Sequence, residues 1–159
     1  MPDTRPSWDV YFSEITRKVA ARSTCTKRRI GAVIVNRKHE IVATGYNGVV
    51  RGAPHCLDIG CIKDEKNIAS GTGHEICPAV HAEQNALIQA GRNSLDCTLY
   101  VNAFPCKICA RLIVNAGINR VVTSGEYTDK EGLDILKNAR VTITHISLGD
   151  RNDVVEGLV

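Results

Sequence analysis

Two short segments of the chain carry side chains that bind metal ions. The first is residues 81–83 (His-Ala-Glu) and the second is residues 105–109 (Pro-Cys-Lys-Ile-Cys). Cys106 and Cys109 are three residues apart, so on a helix they lie on the same face. One histidine and two cysteines make the three protein ligands of a typical catalytic zinc site, which leaves its fourth position to water. Both segments are predicted to begin a helix, whose positive end favours thiolates.

Glu83 adds an acid–base group to these three ligands. It lies two residues from His81 and points elsewhere than the metal, and a carboxylate beside metal-bound water can take its proton and pass it on. Taken alone, a Cys-x-x-Cys pair is also typical of a thiol redox protein or of half a structural zinc site. A purely structural zinc module has no use for Glu83, and a redox pair is disfavoured because His81 is available as a co-ligand.

The elements that must position these segments alternate from residue 82 onward. The pattern predicts helices at 82–91, 106–116 and 129–138 and strands at 97–102, 119–124 and 140–146. Gly91 and Gly117 end the first two helices. This alternation predicts parallel strands with right-handed crossovers and helices on both faces of the sheet, which is an α/β fold. Cys97 falls in a predicted strand and is interpreted as a core residue.

The N-terminal part is predicted to add a helix and a hairpin. Apolar residues recur at helical spacing over 7–22, and Ser7 is the candidate N-cap. Strands at 30–36 and 41–46 flank a polar turn at 37–40.

Residues 47–80 have a different composition. They hold five glycines and two prolines, and their candidate metal ligands include Cys56, Cys61, His74 and Cys77. A segment of this length without regular structure is usually functional or held in place by something. We therefore regard it as a cysteine-bearing insert.

Composition sets the broad class. The chain has 159 residues, of which 43% are hydrophobic, and we expect one domain over 1–159.

The first residues lack the apolar stretch of a signal peptide and no apolar run is long enough to span a membrane, so the cytosol is the expected location. Seven cysteines, an odd number, fit a disulfide framework badly. A net charge of +3 and 4% aromatic residues argue against nucleic-acid binding, and the basic cluster 27–29 is also consistent with a solvated loop.

Over about residues 7–146 the chain resembles the cytidine/deoxycytidylate deaminase superfamily, and within it the deoxycytidylate (dCMP) deaminases. The His-x-Glu and Pro-Cys-x-x-Cys motifs form the signature of zinc nucleobase deaminases. The resemblance is carried by residues 22–25, 30–35, 45–48, 81–86, 98–101 and 104–109. The Gly-Tyr-Asn-Gly element at 45–48 and the insert point to dCMP deaminases. The implied fold is a three-layer αβα sandwich around a five-stranded mixed sheet.

The resemblance implies a chemistry and a substrate. Zinc on His81, Cys106 and Cys109 would activate water for attack on C4 of cytosine, while Glu83 protonates N3 and then the departing amino group. The products would be ammonia and dUMP, a precursor for thymidylate synthesis; the alternative is another cytosine or related nucleoside or nucleotide. By analogy, the base and sugar would contact Asn47, Ala82 and Phe104, the phosphate Lys27 or Arg22, and Tyr127 would close the pocket.

The resemblance also implies a second zinc and regulation. Cys25, Cys56 and His74 match the ligands of a structural zinc site, with Cys77 as the fourth ligand and Cys61 as its rival. Members of the family are commonly hexamers that dCTP activates and dTTP inhibits, with Mg²⁺ on the triphosphate. The residues expected at that regulatory site are Tyr46, Gly48 and Arg51.

Overall fold

The computed structural model describes residues 3–126, 128–148 and 157–158. The helices are α1 Trp8–Ala20, α2 Cys56–Ile59, α3 Ile62–Glu65, α4 Ala82–Ala90, α5 Lys107–Asn115 and α6 Lys130–Asn138, with a 3₁₀ turn at Gly91–Ser94. The strands are β1 Gly31–Val35, β2 Ile41–Tyr46, β3 Gly48–Val49, β4 Ala79–Val80, β5 Thr98–Val101, β6 Arg120–Thr123, β7 Thr142–His145 and β8 Gly157–Leu158. Every predicted helix and strand is present, with ends within two residues of those expected.

The main sheet has the strand order β2-β1-β5-β6-β7-β8. β1 pairs antiparallel with both β2 and β5, whereas β5, β6 and β7 are parallel. The two-residue β8 adds antiparallel to β7 at the edge. The predicted five-stranded mixed sheet is therefore confirmed, with this short sixth strand beside it. Parallel strands need crossover connections, which α5 and α6 provide.

Helices cover both faces of the sheet. On one face, α1 places Phe12 against Val33, Tyr100 and Val122. On the other face, α4, α5 and α6 pack over the side chains that β1, β5, β6 and β7 direct to that side. The N-cap prediction for α1 is confirmed, because the backbone N–H of Val10 donates to the Ser7 hydroxyl at 3.3 Å. Within the described residues, no helix is long and apolar enough to cross a membrane.

The start of α4 lies directly against β2 at Gly45. A Cβ atom at Gly45 would lie 2.3 Å from the carbonyl oxygen of Ala82 and 2.4 Å from the amide nitrogen of Ala86. Only a glycine allows the two backbones to come this close. The approach fixes the beginning of α4, where the His-Ala-Glu segment lies.

The insert is closed at its base by a small second sheet. β3 pairs antiparallel with β4, so that Gly48 faces Val80 and Val49 faces Ala79. The two short helices α2 and α3 lie between these strands in the chain. The insert thus leaves and re-enters the fold next to the first residue of the His-Ala-Glu segment.

Candidate metal centre and active site

The predicted metal ligands lie at the starts of two neighbouring helices. His81 is the cap residue of α4 and Cys106 is the cap residue of α5, both in extended conformation. The amide of His81 donates to the Gln84 side chain at 2.8 Å, which fixes the turn into α4. Cys109 lies in the first turn of α5 and is fully buried. The helix starts bring the three ligands together, as the sequence predicted.

The spacing of these ligands fits zinc. His81 Nδ1 lies 3.6 Å from Cys106 Sγ and 3.3 Å from Cys109 Sγ. All three ligand atoms lie within 4.8 Å of one another. A tetrahedral zinc ion with ordinary bond lengths holds a nitrogen and a sulfur ligand about 3.5 Å apart. The donor set and its geometry therefore suit a zinc ion with one open position.

The protonation of the ligands is consistent with metal binding. Hydrogen bonds from Cys109 and then from His81 lower the pKa of the Cys106 thiol to about 3. The pKa of Cys109 is raised, because its thiol makes that hydrogen bond and is buried. A lowered pKa favours the thiolate of Cys106, which is the form that binds zinc.

Glu83 is a buried carboxyl group beside the metal ligands. It is 3% exposed and lies in the first turn of α4. Burial raises its pKa above the ordinary range for a glutamate, although the charge of His81 acts in the opposite direction. A carboxyl group with a raised pKa can both accept and return a proton near neutral pH.

These groups line a cavity of about 490 Å³. Its volume lies in the range of small-molecule sites. The residues relevant to chemistry in its wall are Arg28, His74, His81, Glu83, Phe104 and Cys106. We refer to this space as the catalytic cavity.

A family model described as the cytidine and deoxycytidylate deaminase zinc-binding region matches residues 6–124. The chain belongs to this family. The match includes all three metal ligands and Glu83, so the zinc site built by α4 and α5 is the zinc-binding region of a deaminase-family domain.

Two relatives show how much of the chain shares this similarity. The deoxycytidylate deaminase of Saccharomyces cerevisiae is 40% identical over 161 residues, which cover 97% of this chain and 49% of that protein. The chain therefore spans about half the length of the yeast relative. The deoxycytidylate deaminase of Mycobacterium phage D29 is 41% identical over 125 residues, which cover 75% of this chain and 95% of the phage protein.

A solved structure supports the same fold. The dCMP deaminase of cyanophage S-TIM5, solved in complex with dCMP and dUMP, superposes with a TM-score of 0.74 at 24% identity. The match covers 91% of this chain and all of the phage chain. The predicted cytidine deaminase-like sandwich is confirmed by this similarity.

Three residues were predicted to contact the base and sugar. Phe104 lines the catalytic cavity. Ala82 is fully buried between Glu83 and the backbone of Gly45. Asn47 is 7% exposed and lines a smaller adjoining cavity of about 90 Å³. The structure therefore brings Phe104 into the catalytic cavity and places Asn47 behind its wall.

The two predicted phosphate cations do not line the catalytic cavity. Lys27 forms an ion pair with Asp64 of α3 and lines the smaller cavity. Arg22 lines a third, larger space described below. Tyr127, the predicted closing residue, lies outside the described residues. The sequence prediction instead missed Arg28, which belongs to the same basic cluster and does line the catalytic cavity.

The predicted second metal site gathers several cysteines of the insert. Burial raises the pKa of the Cys56 thiol, and the neighbouring Cys25, Cys61 and Cys77 raise it further. Cys25, Cys61 and Cys77 line the smaller cavity together with the predicted ligand His74, whereas Cys56 is not part of its described wall. Within the described residues, however, the catalytic set is the only group of at least three ligands whose atoms all lie within 4.8 Å. Metal binding by the cysteines requires the thiols to draw closer.

The predicted regulatory residues share one large open space of about 1130 Å³. Tyr46, Gly48 and Arg51 line it together with Arg22 and Asn85. The Asn85 side chain donates to the carbonyl oxygen of Tyr46 at 2.8 Å, which ties α4 to the end of β2. We refer to this space as the large cavity. It lies on the β2 side of α4, and its wall shares no residue with that of the catalytic cavity.

Proposed function

We propose that the chain is a zinc-dependent deaminase that converts dCMP and water to dUMP and ammonia. The observation that carries the proposal is the buried carboxyl group of Glu83, which lines one cavity with His81 and Cys106 of the His-Cys-Cys centre. A structural zinc site needs no such group. The names of the yeast and phage relatives support dCMP as the substrate.

The residues of the chain have distinct tasks in this reaction. When bound by His81, Cys106 and Cys109, zinc supplies water activated at neutral pH. Glu83 takes a proton from that water and gives it to N3 of the cytosine ring. Once the oxygen is bonded to C4, Glu83 would take its remaining proton and give it to the exocyclic amino group, so that the C4–N bond breaks, C4 becomes a carbonyl and ammonia leaves. Burial of Glu83 excludes bulk water and keeps its pKa suited to both transfers.

The test compares substrates on the zinc-loaded chain. Ammonia release is measured from dCMP, CMP, deoxycytidine and a cytosine-containing single-stranded oligonucleotide in parallel. We expect dCMP to have the highest kcat/KM. Preference for deoxycytidine or for the oligonucleotide would replace dCMP with that substrate, and release from none of the four with zinc bound would overturn the proposal.

We also propose that the large cavity binds the regulatory triphosphates dCTP and dTTP with Mg²⁺. Arg22 and Arg51 offer two cations for phosphate groups, and Gly48 lets the backbone approach them closely. We expect dCTP·Mg²⁺ to raise the rate with dCMP and dTTP·Mg²⁺ to lower it. Replacement of Arg51 by Ala should abolish both responses, and an unchanged response would place the triphosphate elsewhere.

We propose a hexamer as the assembled form. Exposed apolar side chains lie around the large cavity, including Ile88 of α4, which is 76% exposed, and Val50, which is 55% exposed. Such side chains are typical of protein–protein contacts. Light scattering on the purified chain should give the mass of six copies, and the mass of one copy would contradict this.

We propose further that the insert holds a second, structural zinc ion. The donors that we favour are four thiols, Cys25, Cys56, Cys61 and Cys77, because the other three are near enough to Cys56 to raise its pKa. His74, which lines the same small cavity, is the alternative ligand. Positive charge is available beside them, since the buried Lys63 lines the same small cavity. A four-cysteine zinc site carries a net negative charge, which such a cation offsets.

A further inference from the structure

The segment from Arg28 to Gly31 is held along its backbone by two asparagines. Asn47 accepts from the amide of Ile30 at 2.9 Å and donates to the carbonyl of Arg28 at 2.9 Å. Asn102 accepts from the amide of Gly31 at 2.8 Å and donates to the carbonyl of Arg29 at 3.0 Å. Both side-chain amides thus satisfy backbone groups of a segment that lies between the ends of β2 and β5.

This arrangement directs alternate residues to opposite sides. Arg28 and Ile30 both line the catalytic cavity with Glu83. Gly31 faces α1 instead, where an added Cβ would lie 2.4 Å from the carbonyl oxygen of Thr16. Side chains alternate in direction along extended backbone, so we infer that Arg29 lies on the side of Gly31. Among the described residues, Arg29 does not line the catalytic cavity.

Three cations line the described part of the catalytic cavity, and their surroundings differ. Lys107 is paired with Glu131, with its Nζ 3.2 and 3.3 Å from the two carboxylate oxygens. Lys130 lies between Asp129 and Glu131, which line the same wall and repel an anion. Arg28 makes no ion pair within the described residues. Lys130 makes no ion pair within the described residues either, but its neighbours in the chain are acidic whereas those of Arg28 are basic, so the Arg28 guanidinium is the cation better placed to hold an anion.

We propose that Arg28 binds the 5′-phosphate of the nucleotide substrate and so selects nucleotides over nucleosides; this rests on the proposed deamination of dCMP. A guanidinium matches a phosphate with two parallel hydrogen bonds. The hydrogen bonds of Asn47 and Asn102 fix the backbone at Arg28. Because this backbone is already ordered, less conformational entropy is lost when the phosphate binds. Lys27, the cation expected from the sequence, is occupied by Asp64.

The experiment measures kcat/KM for dCMP and for deoxycytidine in the wild type and in four variants. The variants are Arg28→Ala, Arg28→Lys, Lys27→Ala and the matched control Arg29→Ala. For Arg28→Ala we expect the kcat/KM for dCMP divided by that for deoxycytidine to fall about 10- to 100-fold. This factor corresponds to the loss of a hydrogen bond to a charged group. Arg28→Lys should recover part of this ratio, because it keeps the charge but loses the second hydrogen bond. Arg29→Ala should leave the ratio unchanged.

Other results would overturn the assignment. If Arg28→Ala lowers kcat/KM equally for dCMP and for deoxycytidine, the role of Arg28 is structural. If only Lys27→Ala lowers the ratio of the two kcat/KM values, Lys27 binds the phosphate. A binding measurement separates this from failure of the proposed reaction. If the wild type does not deaminate dCMP, calorimetry measures the affinity for dUMP and for deoxyuridine. Tighter binding of dUMP than of deoxyuridine, with the difference lost in Arg28→Ala, would support the phosphate site. Equal affinity of the wild type for both ligands would refute it.

Discussion

The ring of His74 lies edge-on to the ring of His81, with ring centroids 5.0 Å apart and an interplanar angle of 66°. Both residues line the catalytic cavity, where His81 is a proposed ligand of the catalytic zinc ion. The insert therefore reaches the active site through this histidine. The contact also bears on the second metal site, because the resemblance made His74 a zinc ligand there.

The ligands of the second zinc can be separated by two substitutions. We expect Cys61→Ser to lower the zinc content by about one ion per chain, because it removes one of four thiol ligands. We expect His74→Asn to leave the zinc content unchanged. Metal analysis after gel filtration measures both, with Cys97→Ser as the control because that cysteine lies in the core beside β5. The reverse outcome would restore His74 as the ligand in place of Cys61.

Removal of the acid–base group should separate catalysis from metal binding. We expect Glu83→Gln to retain zinc and to lower kcat with dCMP by about 10²- to 10⁴-fold, the usual contribution of a positioned acid–base group. The amide has nearly the same shape but cannot accept and return the proton. Zinc content and kcat are measured on the same preparation. Retention of kcat would remove Glu83 as the proton carrier.

Loss of a catalytic ligand should remove both metal and activity. We expect Cys106→Ala to lose about one zinc ion per chain and all measurable deamination, because two protein ligands hold zinc much less tightly than three. Cys61→Ser provides the comparison, since it should lose zinc from the insert while the catalytic ion stays. An unchanged zinc content in Cys106→Ala would show that the metal is held elsewhere.

The metal centre was predictable from sequence because its information is local. Cys106 and Cys109 share one helix face through spacing alone, and His81 is placed by the start of the neighbouring helix. The order of helices and strands from residue 82 likewise determines which strands are parallel. These features depend on residues close together in the chain, where periodicity and capping are informative.

The proposed role of Arg28 was not predictable in this way. The backbone next to Arg28 is held by Asn102, which contacts Arg29 and Gly31 from more than 70 residues away in the chain. The state of Lys27 depends in the same way on Asp64 in the insert. Sequence showed only a basic cluster, which is equally typical of a solvated loop. Tertiary contacts decide which of its cations remains available.

The acid stability of the fold should depend on Asp9. Tyr100 and Arg120 donate to its carboxylate at 2.8 Å and at 2.6 and 2.9 Å, and the side chain of Asp9 is 11% exposed. Burial acts to raise the pKa of Asp9, but the hydrogen bonds from Arg120 and Tyr100 together outweigh it and hold that pKa below its ordinary value. The charged carboxylate therefore stabilises the folded state above the unfolded pKa of about 3.9, and this stability is lost as the pH falls through the lower folded value.

Replacement of Asp9 by Asn tests this contribution. At pH 7 we expect the free energy of unfolding to fall by about 2 kcal/mol, because the partly buried Arg120 guanidinium loses its charged hydrogen-bond partner. Urea unfolding is compared between the wild type and the variant at roughly pH 7, 5, 4 and 3, and their difference should shrink only below about pH 4. Loss of zinc in acid destabilises the wild type and the variant alike, so the difference between their free energies of unfolding reports the contribution of Asp9. Asp134→Asn, at an exposed position of α6, is the control and should leave the free energy of unfolding nearly unchanged. A difference that stays constant down to pH 3 would mean that the carboxylate charge does not stabilise the fold.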